Sequence, residues 1–158
     1  MVGMQKLNLP AIRPLVRKNP AGKKEIFDPC RKRYVRLTPE EWVRQNFLQF
    51  MMSHLGFPST LIVVEASLKV NRMPRRFDIL ACRSDGKPGM VIECKAPGVE
   101  ITQATFDQVA RYNLELEVDF LAVTNGLTHY ACHLDHRAKS YRFLEAMPDF
   151  PMVNQTGG

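Results

Sequence analysis

Phe77-Asp78-Ile79-Leu80 and Val91-Ile92-Glu93-Cys94-Lys95 decide the reading of this chain. Each is a short apolar run that carries an acid, and each has the composition of a β-strand. Between them lies Ser84-Asp85-Gly86-Lys87-Pro88-Gly89, a dense turn signal. The two runs therefore read as a hairpin with a carboxylate on each arm. Side chains alternate along a strand, so Glu93 and Lys95 share a face, roughly 6–7 Å apart, while Ile92 and Cys94 face a core. With Asp78 on the Glu93 side, two carboxylates and one ammonium converge. Three ionisable groups on an apolar strand flank are costly unless they pair or bind a metal. The plainer reading is local pairing, with Asp78 on Arg75 or Arg76 and Glu93 beside Lys95 as a solvated pair.

Outward from the hairpin, Thr38-Pro39-Glu40-Glu41 opens a helix. Thr38 fits the N-cap, Pro39 the first helical position and Glu41 the reciprocal position of a capping box. The helix is predicted to run to about Leu55, stopped by Gly56 and Pro58, with Val43, Phe47, Phe50, Met51 and His54 facing the core. Leu61–Val70 reads as a long strand. Asn71–Arg76 reads as a basic turn, with Arg72, Arg75 and Arg76 either on phosphates or solvated. Val99–Leu116 reads as a second helix, with Phe106, Val109, Ala110 and Asn113 on one flank and Gln108 and Tyr112 at i and i+4 on a shared face. Val118–Thr124 and Tyr130–Leu134 read as antiparallel strands around Asn125-Gly126, and Tyr141–Met147 as a last strand. This order gives an α/β (α+β) fold, a mixed sheet flanked by helices, with a β-α-β crossover from the Glu93 strand to the Phe120 strand.

A chain of 158 residues supports one domain. It divides into an arm at 1–24, a body at 25–147 and a frayed end at 148–158. A short strand is expected near Met4–Leu9 and an extended pair at Glu25–Asp28 and Arg33–Arg36. Hydrophobic content of 45% and charged content of 24% are those of a globular protein. No run approaches the ~18 apolar residues of a membrane span, and the start lacks a signal-peptide core. The expectation is a cytoplasmic protein with no membrane partner. Cys30, Cys82, Cys94 and Cys132 are scattered without Cys-x-x-Cys spacing, which argues for small apolar side chains rather than a zinc site. Residues 1–36 hold ten of the 22 Lys/Arg and two of the 16 acids, on a chain of net charge +6. Such an arm suits a polyanion, or is a solvated tail.

Asp78 precedes Glu93-Cys94-Lys95 with 14 residues between the two acids. This resembles the pattern of the PD-(D/E)xK nuclease superfamily, with Phe77 where that pattern has Pro. Gln108-Val-Ala-Arg-Tyr112 is similar to the Gln-xxx-Tyr motif of one branch. Ile26-Phe27-Asp28-Pro29, continued by Leu37-Thr38-Pro39-Glu40-Glu41-Trp42-Val43-Arg44-Gln45, resembles the opening of domains grouped with the N-terminal nuclease domain of type I restriction enzyme R subunits. The resemblance covers about residues 26–145. It implies a restriction-endonuclease-like sheet with core order αβββαβ and metal-dependent hydrolysis of DNA phosphodiester bonds. It implies Mg²⁺ or Mn²⁺ on Asp78 and Glu93, with the Cys94 carbonyl and a first-helix glutamate, Glu40 or Glu41, as further ligands. Lys95 would orient the attacking water or stabilise charge on phosphorus, with Gln108 and Tyr112 behind the cluster. Arg72, Arg75, Arg76 and Lys95 would contact nucleic acid. DNA and other restriction-system subunits are the implied partners. R subunits carry a translocating motor after this domain, and these 158 residues contain none. A non-catalytic DNA- or partner-binding module with the same fold is therefore the alternative, and an RNA substrate a third reading. His129, His133 and His136 fall in strand and loop and are not read as a metal set.

Overall fold

The computed structural model describes residues 5–70 and 72–155. The chain opens with a small antiparallel sheet, β1 (Val16–Lys18), β2 (Lys24–Asp28) and β3 (Arg33–Arg36), in that order. Helix α1 (Pro39–Ser53) follows. The main sheet is built from β4 (Ile62–Val70), β5 (Met73–Cys82), β6 (Pro88–Cys94), β7 (Phe120–Thr124), β8 (His129–Asp135) and β9 (Ser140–Phe143). Helix α2 (Gln103–Tyr112) lies between β6 and β7, and α3 (Phe150–Gln155) closes the chain. The six strands run in sequence order, antiparallel except for the β6–β7 pair, which is parallel across α2. This is the expected mixed α+β architecture with helix, three strands, helix and strand.

The parallel pair is buried on both faces, and its strands read as continuous apolar runs for that reason. One core cluster packs Val43, Phe47, Leu48 and Met51 of α1 against Ile79, Ala81, Met90, Ile92 and Ala122. The other packs Phe106 and Ala110 of α2 against Leu80, Val91, Leu121, Val123 and Leu134. The sheet thus lies between α1 and α2, and Asp78 in the middle of β5, beside the end of β6 at Cys94, meets Arg44 of α1.

Several boundaries differ from the sequence reading. Asn71 lies outside the described residues, but β5 begins at Met73 because Val70 pairs directly with Met73, so Arg75 and Arg76 are on the strand rather than in a turn. Helix α1 stops at Ser53, and His54 caps it from the exposed side instead of entering the core. Helix α2 starts at Gln103, where the Thr102 hydroxyl accepts from the Thr105 amide. The last strand covers Ser140–Phe143, not Tyr141–Met147.

The two chain ends hold more structure than their composition suggests. Residues 5–9 form no strand, and Met4 lies outside the described residues, yet Leu7 is buried against Gly126. The Trp42 indole donates to the Gln5 carbonyl at 2.7 Å, and the Asn8 amide to the Gly126 carbonyl at 2.8 Å. Residues 16–18, read as arm, are the edge strand of the small sheet. At the other end, the segment read as frayed carries α3, whose Val153 is fully buried and whose Asn154 accepts from the Ser84 amide; residues 156–158 lie outside the described residues.

Candidate active site

β5 and β6 pair in a register that sets Ile79 opposite Ile92 and Leu80 opposite Val91. One step further, Asp78 and Glu93 stand across from each other, on the side away from Ile79 and Ile92. The hairpin reading therefore places both acids together. A cleft of about 350 Å³ lies over them, lined by Glu40, Arg44, Glu65, Arg76, Phe77, Asp78, Glu93, Cys94 and Lys95. Asp78 is held from two sides. Its Oδ2 accepts the Cys94 amide at 2.7 Å, and its Oδ1 lies 3.4 Å from Nη1 of Arg44. Lys95 sits just past the end of β6, where its amide donates to the Thr124 carbonyl at 2.8 Å, and its side chain is exposed.

Burial raises the proton affinity of Glu93, and the neighbouring Asp78 charge raises it further; Lys95 and Arg75 pull the other way without cancelling the effect. The cleft thus contains an incompletely compensated carboxylate pair, which suits a hard cation. Among the described residues no group of three or more His, Cys, Asp or Glu forms a metal cage. Two carboxylates fit Mg²⁺ without such a cage, because that ion keeps several waters and takes substrate phosphate oxygens.

Glu41 does not reach this cleft. Its side chain accepts from Arg31 Nη2 at 2.8 Å, Arg44 Nε at 3.0 Å and Nη2 at 2.8 Å, and Gln45 Nε2 at 3.0 Å. Burial opposes its ionisation, but these bonds and the Arg44 charge outweigh it and hold the carboxyl below the usual range. With its oxygens saturated, Glu41 has nothing to offer a metal. Only half of the expected capping box forms: the Glu41 amide donates to the Thr38 hydroxyl, while the Glu41 carboxylate turns inward to the arginines. Of the two first-helix acids, Glu40 is the one that lines the cleft.

Gln108 and Tyr112 are not among the cleft-lining residues. Gln108 is exposed, and Tyr112 is 64% exposed with its ring centroid 3.5 Å from the Arg75 guanidinium carbon. Arg75 Nη1 also donates to the Tyr112 carbonyl and to Asn113 Oδ1. Neither Arg75 nor Tyr112 lines the cleft, so this stack lies outside it. Arg76 is in the cleft, whereas Arg72 is exposed near the β4–β5 tip and does not line it. The histidines have other tasks. His129 bonds Thr124 and the Asn8 carbonyl, His136 faces the carbonyls of Leu114 and Val118, and His133 sits edge-on to Phe120.

Two cleft residues escaped the sequence reading. Arg44 is almost fully buried and reaches Glu41, Glu65 and Asp78 at once. Its spacing of three from Glu41 on one helix was the available signal. Glu65 is the other. It occupies the place on β4 opposite Asp78, between the pairs Val64↔Ile79 and Ala66↔Phe77. Its φ is 56°, the left-handed region, in the middle of a nine-residue strand. Residues two apart on a strand normally share a face. Here Val64 enters the α1 core and Ala66 the α2 core, so the strand turns over at Glu65. The Glu65 carboxylate lies 3.5 Å from Arg31 and 3.7 Å from Arg44.

A larger groove of about 790 Å³ lies at the opposite end of β6, near Leu68, Arg83, Glu117 and His136. Its Arg83 is engaged by Asp85 and Asp119, and none of the acids of the Asp78 cleft lines it.

The fold and cleft define a class: a mixed-sheet α+β domain with acids gathered where two neighbouring strands meet the first helix. Residues 39–148 match the family described as Type I restriction enzyme R protein N terminus (HSDR_N), and the chain belongs to that family. Among solved structures it is similar to a fragment assigned to an HsdR subunit of a type I restriction enzyme from Vibrio vulnificus YJ016, with a TM-score of 0.51 and 18% identity. That likeness is one of fold. It covers 72% of this chain and 24% of the other, so the chain spans about a quarter of that structure's length. No curated protein matches the chain.

Proposed function

We propose that the cleft hydrolyses phosphodiester bonds of DNA with Mg²⁺ or Mn²⁺. The observation that carries this reading is the cross-strand placement of Asp78 and Glu93 in one cleft with Lys95. Asp78, Glu93 and the main-chain carbonyl of Cys94 would hold the ion, with Glu40 at the rim. A bound divalent ion supplies charge neutralisation at the phosphate and a more acidic water. The protein groups do the rest. The Cys94 amide and Arg44 fix the Asp78 carboxylate, which lowers the cost of ordering the site. Lys95, exposed at the strand end, orients the attacking water or meets the negative charge that grows on phosphorus. Arg76 gives the cleft a second cation for the sugar–phosphate chain. Family membership supports DNA as substrate and other restriction-system subunits as partners. The PD-(D/E)xK pattern supports the assignment of roles.

A second reading, a DNA- or partner-binding domain without cleavage, draws on Arg44, which already sets a guanidinium 3.4 Å from Asp78. Plasmid nicking with Mg²⁺ or Mn²⁺, run beside calorimetric titration of Mn²⁺, separates the two. Wild type is expected to nick and to bind Mn²⁺. Asp78→Ala is expected to lose both. Lys95→Ala is expected to bind Mn²⁺ and to nick about 10²–10⁴ times more slowly. Mn²⁺ affinity is expected to weaken as pH falls through the raised Glu93 value, because proton and metal compete for one carboxylate. Wild type that binds DNA and never nicks it under these conditions overturns the hydrolase reading.

A further inference from the structure

The cleft has an electrostatic problem that its own residues do not solve. Four carboxylates, Glu40, Glu65, Asp78 and Glu93, line it against Arg44, Arg76 and Lys95. A phosphate chain approaching those acids needs cationic purchase outside the cleft, and the small β1–β2–β3 sheet supplies it. Residues 13–36 hold nine Lys/Arg and two acids. Both acids are spent within the sheet: Glu25 pairs with Arg17 at 2.9 Å, and buried Asp28 pairs with Arg31. Lys18, Lys23, Lys32, Arg33 and Arg36 are exposed, and among the described residues none of them is in a salt bridge.

The sheet is also rigidly tied to the cleft. Its inner face, Ile26 and Val35, packs on the α1 core. Its outer face carries Arg17, Glu25 and Arg36 in one cross-strand row beside the edge-on pair Phe27–Tyr34. Arg31, in the β2–β3 turn, bonds Glu41 at 2.8 Å and reaches Glu65 on the cleft wall at 3.5 Å. The same turn carries Lys32, and Arg33 opens β3 directly after it. A polymer lying along this turn is therefore led to the cleft.

The geometry points to the β1–β3 sheet as a separate backbone grip for duplex DNA, holding phosphates beside the cleft independently of metal. This inference rests on the reading of DNA as the ligand. The sequence offered the basic segment 1–36 to a polyanion and named phosphate contacts only at Arg72, Arg75, Arg76 and Lys95; the fold gives the basic segment a defined place beside the cleft.

Fluorescence anisotropy with a labelled DNA duplex, in EDTA and over a series of KCl concentrations, tests it. In Lys32→Gln/Arg33→Gln/Arg36→Gln the slope of log affinity against log salt is expected to fall by about 0.9 per lost contact, or about 2–3 in total. Arg137→Gln/Lys139→Gln/Arg142→Gln, which removes the same charge around the far edge strand, is expected to leave the slope unchanged. Lys32→Gln and Arg36→Gln singly, each at an exposed position, are expected to lower it by about 0.9. Equal slopes in wild type and the first triple variant, or equal losses in both triple variants, overturn the grip and leave the cleft reading standing. Wild type that neither binds the duplex nor nicks plasmid overturns both. Vesicles of phosphatidylserine and phosphatidylcholine serve as the competing polyanionic surface. Binding to them that depends on residues 32, 33 and 36, without duplex binding, overturns the grip in favour of a lipid surface.

Discussion

Glu41 shows what the first helix contributes to the site. Its carboxylate gathers Arg31, Arg44 and Gln45, and Arg44 in turn steadies Asp78. Removing one partner of a buried ion pair strands the other charge, so Glu41→Ala is expected to lower stability by about 3–5 kcal/mol in urea unfolding. Asp28 shares the same fate: burial opposes its charge, but bonds from Arg31 and Cys30 hold its carboxyl below the usual range. A carboxyl lowered on folding adds stability that is fully present above its ordinary value and is lost as pH falls through the lower, folded one. Wild type is therefore expected to lose urea resistance below about pH 4, and a Glu41→Ala/Asp28→Ala variant to show a flatter decline there. A double variant that tracks wild type across that range would remove this account of the buried pairs.

At the scale of elements, β6 meets α3 at Gly89. A Cβ built there would stand 2.6 Å from Val153 Cγ1 and 3.1 Å from Arg83 Cγ. Gly89→Ala is expected to overpack this contact and cost about 1–3 kcal/mol, read as a lower urea midpoint, while Gly98→Ala, with nothing near its Cβ, is expected to be almost neutral. The hairpin that carries Asp78 and Glu93 was legible because alternation and a Gly/Pro turn are local signals. So was α1, from Thr38 and Pro39. The ends of the chain were not legible: Leu7 and Val153 are single apolar residues among polar neighbours, and only the tertiary contact with Gly126 or Gly89 gives them a place. Which acid of α1 lines the cleft, Glu40 or Glu41, was undecidable because the arginines that claim Glu41 come from the same helix and from a turn upstream. Gln108 and Tyr112 had the right spacing for a shared helix face, but the rotation of α2 toward its core at Phe106 and Ala110 leaves both exposed.

Across the whole molecule, both ends fasten the α1 side of the sheet. Leu7, Trp42 and Val153 belong to one core cluster, and the Asn8 amide and carbonyl bridge to Gly126 and His129. Leu7→Ala is expected to cost about 2–5 kcal/mol, with a shift in the emission of Trp42, whose indole bonds the Gln5 carbonyl. Unchanged stability and emission in that variant would mean that the leading segment rests on the domain without supporting it. The charge is divided as well, with cations concentrated on the small sheet and acids at the Asp78 cleft. Such a division orients an incoming polyanion before contact, more strongly at low salt.

The backbone at Glu65 carries one more implication. Left-handed torsions cost a residue with a side chain of order 1–3 kcal/mol, and glycine almost nothing. A redesign that ranked substitutions by folding free energy alone would write glycine at this position and strip one wall of the cleft of its carboxylate. Optimising this strand for robustness and preserving whatever the cleft handles are thus opposed aims, and they conflict at a single peptide unit.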